Sequence, residues 1–210
     1  MKKSTLLLLI LFSAAIANAQ SAADSTLQKF LTVLDENGMI FKKPEGTIQI
    51  PIVKNMQMHY EFAVKYPDKP LEIRYAISSL KERVDEYNEW KKNPKPGETR
   101  VDPNTLAKSM AYVVSLNVGG GSMDPSIGFS AFPPQDVKAE FGADWGGTSI
   151  IPVKNTSFGT DYKWCLMLVL HKNSVADSYV FYLTDTREHL NNLLKDDAAM
   201  VSFYALRFKN

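Results

Sequence analysis

The sequence predicts a mixed α/β protein: a three-layer α/β/α sandwich around a mostly antiparallel sheet. Three observations carry this. Two segments of period-two alternation, 58–66 and 71–77, are joined by the short turn Asp68-Lys69-Pro70, a spacing that pairs strands antiparallel. The run Tyr162–His171 is apolar at both parities, and such a strand needs packed layers on both sides. Several stretches between and around the strands carry the 3.6-residue spacing of amphipathic helices.

Taken in order, Asp24–Asn37 reads as a helix with Leu27, Phe30, Leu31 and Leu34 on one face, closed by Asn37-Gly38. Met39–Phe41 and Thr47–Ile50 flank Lys43-Pro44-Glu45-Gly46, a turn sequence that suggests a hairpin. Met58, Tyr60, Phe62, Val64 and Tyr66 then alternate with polar or small residues, as in a strand half-buried on one face. Leu71, Ile73, Tyr75 and Ile77 repeat the pattern. Lys81–Lys92 is a charged helix touching the body through Leu80, Val84 and Tyr87, and Lys91–Arg100 is an exposed basic loop.

Asp102-Pro103 starts another helix, with Leu106, Met110, Val113, Val114 and Asn117 at helical spacing and Gly119-Gly120-Gly121 as its stop. Gln135–Phe141 is a short helix leading into a loop, Phe141–Gly147. Ser149–Val153, Tyr162–His171, Ser178–Thr184 and Val201–Arg207 complete the strands, with the helix Arg187–Leu194 before the last. The segment around Trp164–Leu170 is expected to be the middle strand, roofed on both sides, with no room for a reaction centre inside the slab.

The first residues bear on compartment. Lys2 and Lys3 precede an apolar run, Leu6–Ile16, and the small residues Ala17-Asn18-Ala19, the layout of a secretory signal peptide cut before Gln20. The run is shorter than the ~20 apolar residues of a spanning helix. The expectation is an exported, soluble chain, periplasmic or secreted, with 1–19 as signal, 20–37 as a lead helix and 38–210 as one globular domain. The whole sequence has 24 basic and 23 acidic residues. Such a balance gives no attraction for nucleic acid or an anionic membrane surface. One cysteine, Cys165, excludes an internal disulfide, and its apolar setting reads as a buried, inert thiol.

The opening Gly38-Met39-Ile40-Phe41 with Lys43-Pro44-Glu45-Gly46, followed by a strand ending in Glu72-Ile73-Arg74-Tyr75, resembles the start of Mog1/PsbP-like domains. The likeness runs through Phe141–Trp145 and the Tyr162 strand. It implies an α/β/α sandwich whose sheet has about six antiparallel strands, and a bias toward binding or assembly rather than catalysis. Members of that family contact a small GTPase or a photosynthetic complex, and no partner-binding residue carries over to this chain by motif.

The catalytic signatures are weak. His59, His171 and His189 show no zinc-ligand spacing, and no calcium loop is present. Gly-x-Ser-x-Gly is missing, and Gly119-Gly120-Gly121-Ser122 follows a helix, whereas a phosphate loop precedes one. His171 ends a strand and would act as a base only beside Asp144 or Asp161. Asp161 and Asp177 read as turn residues. If the first two long strands pair, His59, Glu61, Glu72 and Arg74 share a sheet face, with Arg74 either in an ordinary cross-strand ion pair beneath a helix or binding an anion. Asp144 and Trp145, with the neighbouring Ser157-Phe158-Gly159, form a core lid or a recognition surface.

The expectation is therefore an exported, non-catalytic binding or assembly-accessory domain that takes an envelope or secreted protein as partner and needs no metal or cofactor. Asp144, Trp145, Phe158, Arg74 and His171 are its candidate binding residues. The competing readings are a hydrolase or small-ligand enzyme centred on His171 and Asp144, and a passive envelope structural protein.

Overall fold

Seven antiparallel strands in the order β2-β3-β4-β8-β7-β6-β5 organise the chain. They are β2 (Ile48–Gln49), β3 (Phe62–Lys65), β4 (Leu71–Ser79), β5 (Phe129–Ala131), β6 (Trp145–Pro152), β7 (Trp164–Lys172) and β8 (Ala176–Thr184). The computed structural model describes residues 25–121, 128–154, 158, 161–193, 195 and 197–209. The signal segment, Asp24, Ser122, Ser157, Gly159 and Leu194 lie outside the described residues.

Two cores, one on each face of the sheet, hold the fold together. On the first face Ile73 and Tyr75 of β4, Val180 and Tyr182 of β8 and Leu166, Leu168 and Leu170 of β7 are buried. They pack against α1 (residues 25–36), α4 (Pro134–Phe141), α5 (Arg187–Leu193) and α6 (Asp197–Phe203). On the second face Cys165, Met167, Val169, Tyr179, Phe181 and Leu183 meet α3 (Ala107–Val118) through Ala111, Val114 and Val118. Period two explains the division, since odd and even positions of β7 and β8 go to opposite cores. Burying one such leucine contributes about 1.5–3 kcal/mol.

The doubly apolar strand is buried on both faces as its composition requires, but the middle strand is β8, flanked by β4 and β7. The alternating pair β3 and β4 is antiparallel, with Val64 opposite Ile73. α2 (Lys81–Lys92) has the expected bounds, and the residues from Lys91 to Arg100 are exposed.

Other expectations are corrected. β1 (Met39–Phe41) does not pair with β2; it pairs with β9 (Leu206–Phe208) in a separate two-stranded ribbon, Ile40 opposite Arg207. The turn between β1 and β2 does form, closed by Thr47 Oγ1 donating to the Pro44 carbonyl, but its two arms leave for different partners. The strand expected over 58–66 is confined to Phe62–Lys65, and Tyr60 packs in the core opposite to that of Phe62. Val201–Phe203 is helical, so the last strand is confined to β9.

Asp102 caps a 3-10 turn (Pro103–Thr105), its carboxylate accepting from Asn104 N, and α3 begins only at Ala107. Val113 faces solvent because the small residues Ala107, Ala111 and Ser115 form the face laid on the sheet. β6 begins at Trp145, inside the expected loop. Its glycines have a packing reason: a Cβ on Gly147 would lie 2.5 Å from the Ser130 carbonyl oxygen, so only glycine lets β5 approach.

Candidate functional site

The β7–β8 hairpin turns through Asn173, Ser174 and Val175, with Ser174 in the left-handed region at φ 59°. A turn of this length puts His171 directly opposite Asp177, each one residue inside its strand end. The imidazole is 3% exposed, and its Nδ1 lies 2.6 Å from Asp177 Oδ1. Nε2 lies 3.0 Å from Asn173 Oδ1. Both ring nitrogens face acceptors, an arrangement that suits the imidazolium. Burial pulls the histidine pKa down, but the Asp177 hydrogen bond and charge, with help from Asn173 and Asp144, raise it above its ordinary value.

Asp144 stands at the mouth of this hairpin. Its backbone N–H donates to the His171 carbonyl at 2.8 Å, while its carboxylate accepts from Asn173 N at 2.9 Å and from Lys138 Nζ at 2.8 Å. Partial burial acts to raise its pKa, yet Lys138, the Asn173 N–H and Lys172 together hold it below the usual carboxylate value. Asp144 therefore braces the turn that carries Asn173 and forms no direct pair with His171. The acid against His171 is Asp177, and Asp177 is a strand residue of β8, not a turn residue.

Trp145 is the first residue of β6, opposite His171 in the ladder. Its ring stacks on Phe129 at 5.3 Å between centroids, and Lys108 Nζ lies 5.9 Å from its centre. The indole N–H is buried without a hydrogen-bond partner among the described residues. Asn104, Lys108, Asp144, Trp145 and Asn173 border a shallow cleft of about 290 Å³ over His171. Three of the five candidates thus come together, and Trp145 belongs to a strand, not a loop.

Arg74 and Phe158 meet elsewhere, in the second core. Arg74 is 5% exposed and lies between the rings of Tyr60 and Phe158, 4.8 and 4.7 Å from their centroids. Its Nε donates to Glu72 Oε1 at 2.6 Å, and its Nη1 donates to the Phe158 carbonyl. Tyr162 Oη donates to the other Glu72 oxygen at 3.0 Å. The pair runs along β4 from i to i+2, not across strands, and aromatic rings cover it where a helix was expected. Glu61 is diverted to the Ile77 N–H, and His59 is exposed. Burial raises the Glu61 pKa, with the Ile77 N–H opposing it.

Sequence reasoning missed Asn173, Lys108, Lys138 and the role of Asp177. The signal for Asp177 was available: an Asn-Ser turn between two apolar runs fixes the register that faces it to His171. Cys165 is fully buried, and burial pushes its thiol pKa well up. Among the described residues no group of three His, Cys, Asp or Glu side chains is placed to hold a metal ion, and no helix is long and apolar enough to cross a membrane.

No family model matches the chain, and no curated protein matches it in sequence. Among solved structures, the solution structure of the cyanobacterial PsbP (CyanoP) from Synechocystis sp. PCC 6803 superposes on 82% of this chain and 88% of its own. The identity is 12% and the TM-score 0.44. The chain resembles PsbP at the level of fold, and no site residue or function is transferred from that likeness.

Proposed function

We propose that this chain is an exported, non-catalytic binding or assembly-accessory domain, an α/β/α sandwich over residues 38–210 with α1 packed into its core, that acts on an envelope or secreted protein. One observation carries the reading. His171, the sole buried histidine among the described residues, has both ring nitrogens engaged by Asp177 and Asn173. A general base needs a free nitrogen within reach of a substrate proton. Arg74 is likewise buried, held by Glu72, the Phe158 carbonyl and two rings, so it serves the core and is not presented to an anion in solvent. The cleft beside Trp145, with Lys108, Asn104 and Asp144 on its rim, supplies polar and aromatic recognition groups.

The test has two arms. Purified protein is offered chromogenic ester, phosphate, glycoside and amide substrates beside His171→Asn; turnover that the substitution abolishes overturns the reading. In the envelope of the source cell, a photo-crosslinking residue is placed in turn at Lys108, Phe129, Met56 and Tyr204. A reproducible adduct from at least one position is expected, and no adduct from any position overturns the reading.

A further inference from the structure

A second concavity, sharing no lining residue with the cleft over His171, lies where the β1–β9 ribbon, the turn after β1 and the end of α6 converge, and it encloses about 570 Å³. Its floor follows from strand periodicity. Met39, Leu206 and Phe208 point into the core, which leaves Ile40 and Arg207, direct partners in the ribbon, on the outer face. Lys42 extends that ribbon by donating its backbone N–H to the Ala205 carbonyl, and Lys43 follows it. Val201 and Tyr204 form the opposite wall and remain exposed, at 57% and 44%. Tyr204 is held rigid, stacked on Phe141 at 5.4 Å with its hydroxyl bonded to Glu140.

The charge of this cleft is one-sided. Lys42, Lys43 and Arg207 border it against the single acid Glu45. Among the described residues none of the three cations has an ion-pair partner, whereas Lys138 and Lys209 are both paired. Scattered surface lysines are ordinarily just solvated. Here two lysines and an arginine edge a concave wall of exposed aliphatic and aromatic groups, which favours an occupant that is apolar and anionic at once.

We propose that this cleft docks an acidic, partly apolar peptide segment of the partner protein. The inference rests on the reading of the chain as a binding domain and places the contact. Shape argues for a chain segment, because a concavity of this volume admits side chains while a flat bilayer surface would touch only its rim. The acidic face of α2, with Glu82, Asp85, Glu86 and Glu89, offers matching charge on a second copy. Joining two different faces head to tail closes into a ring only where the rotation between copies permits and otherwise propagates as a filament, so self-association is an outcome the test must separate.

The experiment pans a phage-displayed library of random dodecapeptides against the full chain, then measures the enriched peptides by fluorescence anisotropy. The comparison is Lys42→Glu/Lys43→Glu/Arg207→Glu. All three side chains are exposed, so an unchanged thermal melt verifies folding. The expected peptides interleave Asp or Glu with Phe, Leu or Ile, weaken with added salt, and lose about tenfold or more in affinity to the variant. No enrichment, enrichment without acidic residues, or equal binding by the variant overturns the proposal. So does charge-dependent sedimentation with phosphatidylglycerol vesicles in the absence of peptide binding, or self-association that the variant abolishes. An adduct captured from Lys108, Phe129 or Met56 but not from Tyr204 removes this contact while leaving the binding-domain reading intact.

Discussion

Replacing Arg74 with methionine should be among the most damaging single changes in the second core. Arg74 is 5% exposed and Glu72 7% exposed, so the substitution strands a buried carboxylate whose remaining donor among the described residues is the Tyr162 hydroxyl. Removing one partner of a buried, hydrogen-bonded ion pair costs about 3–5 kcal/mol. The Phe158 carbonyl also loses its donor and two rings lose their cation, effects that overlap with the first and keep the expected total near the top of that range. Against a domain stability of ~5–15 kcal/mol this is a large fraction, and the melting temperature should fall on the order of 10 °C. Urea unfolding followed by circular dichroism and tryptophan fluorescence measures it. Arg74→Met/Glu72→Gln should recover at least ~2 kcal/mol, because a neutral amide no longer needs a counter-charge. A loss below about 1 kcal/mol for the single variant, or a double variant no more stable than the single one, refutes the argument.

Three further outcomes are expected. The His171 pKa is raised in the folded state, so its contribution is complete below the unfolded value of about 6.5 and drains as pH climbs through the folded value. Urea midpoints should therefore decline from about pH 6.5 upward, and His171→Gln should flatten the decline; an unchanged slope contradicts the pairing with Asp177. Gly147→Ala should push β5 off the sheet at a cost of about 1–3 kcal/mol, read as faster amide exchange at 129–131. Cys165 should resist a thiol reagent in native protein and react at once in denaturant, since its thiol is fully buried and its pKa is raised.

What could be read from the amino acids was local. β3 with β4, the doubly buried β7, and α2 each announce themselves within about twenty residues through periodicity and turn chemistry. β1 was assigned to the wrong partner because β9 lies more than 160 residues away, and no short-range pattern encodes such a pairing. Gly146-Gly147 looked like a loop, since glycine signals freedom locally while its use here is to admit a neighbouring strand. Val201–Phe203 offers too few residues to separate a one-sided helix from an alternating strand. At the site, His171, Asp144 and Trp145 were legible as polar and aromatic groups near strand ends. The pairing of His171 with Asp177 depended on register, which a turn of three residues decides.

The ribbon of β1 and β9 has a temporal consequence. Its halves come from opposite ends of the described chain, and Lys209 clasps them by bonding Gly38 through its amide and Asp35 through its ammonium group. Closing so long a loop is entropically unfavourable until intervening contacts shorten it. During synthesis the hairpins of the large sheet can assemble early, whereas this clasp must wait for the final strand to emerge. The basic cleft built on that clasp would then mature after the large sheet, and a partner that recognises it would meet only molecules in which that sheet had already assembled.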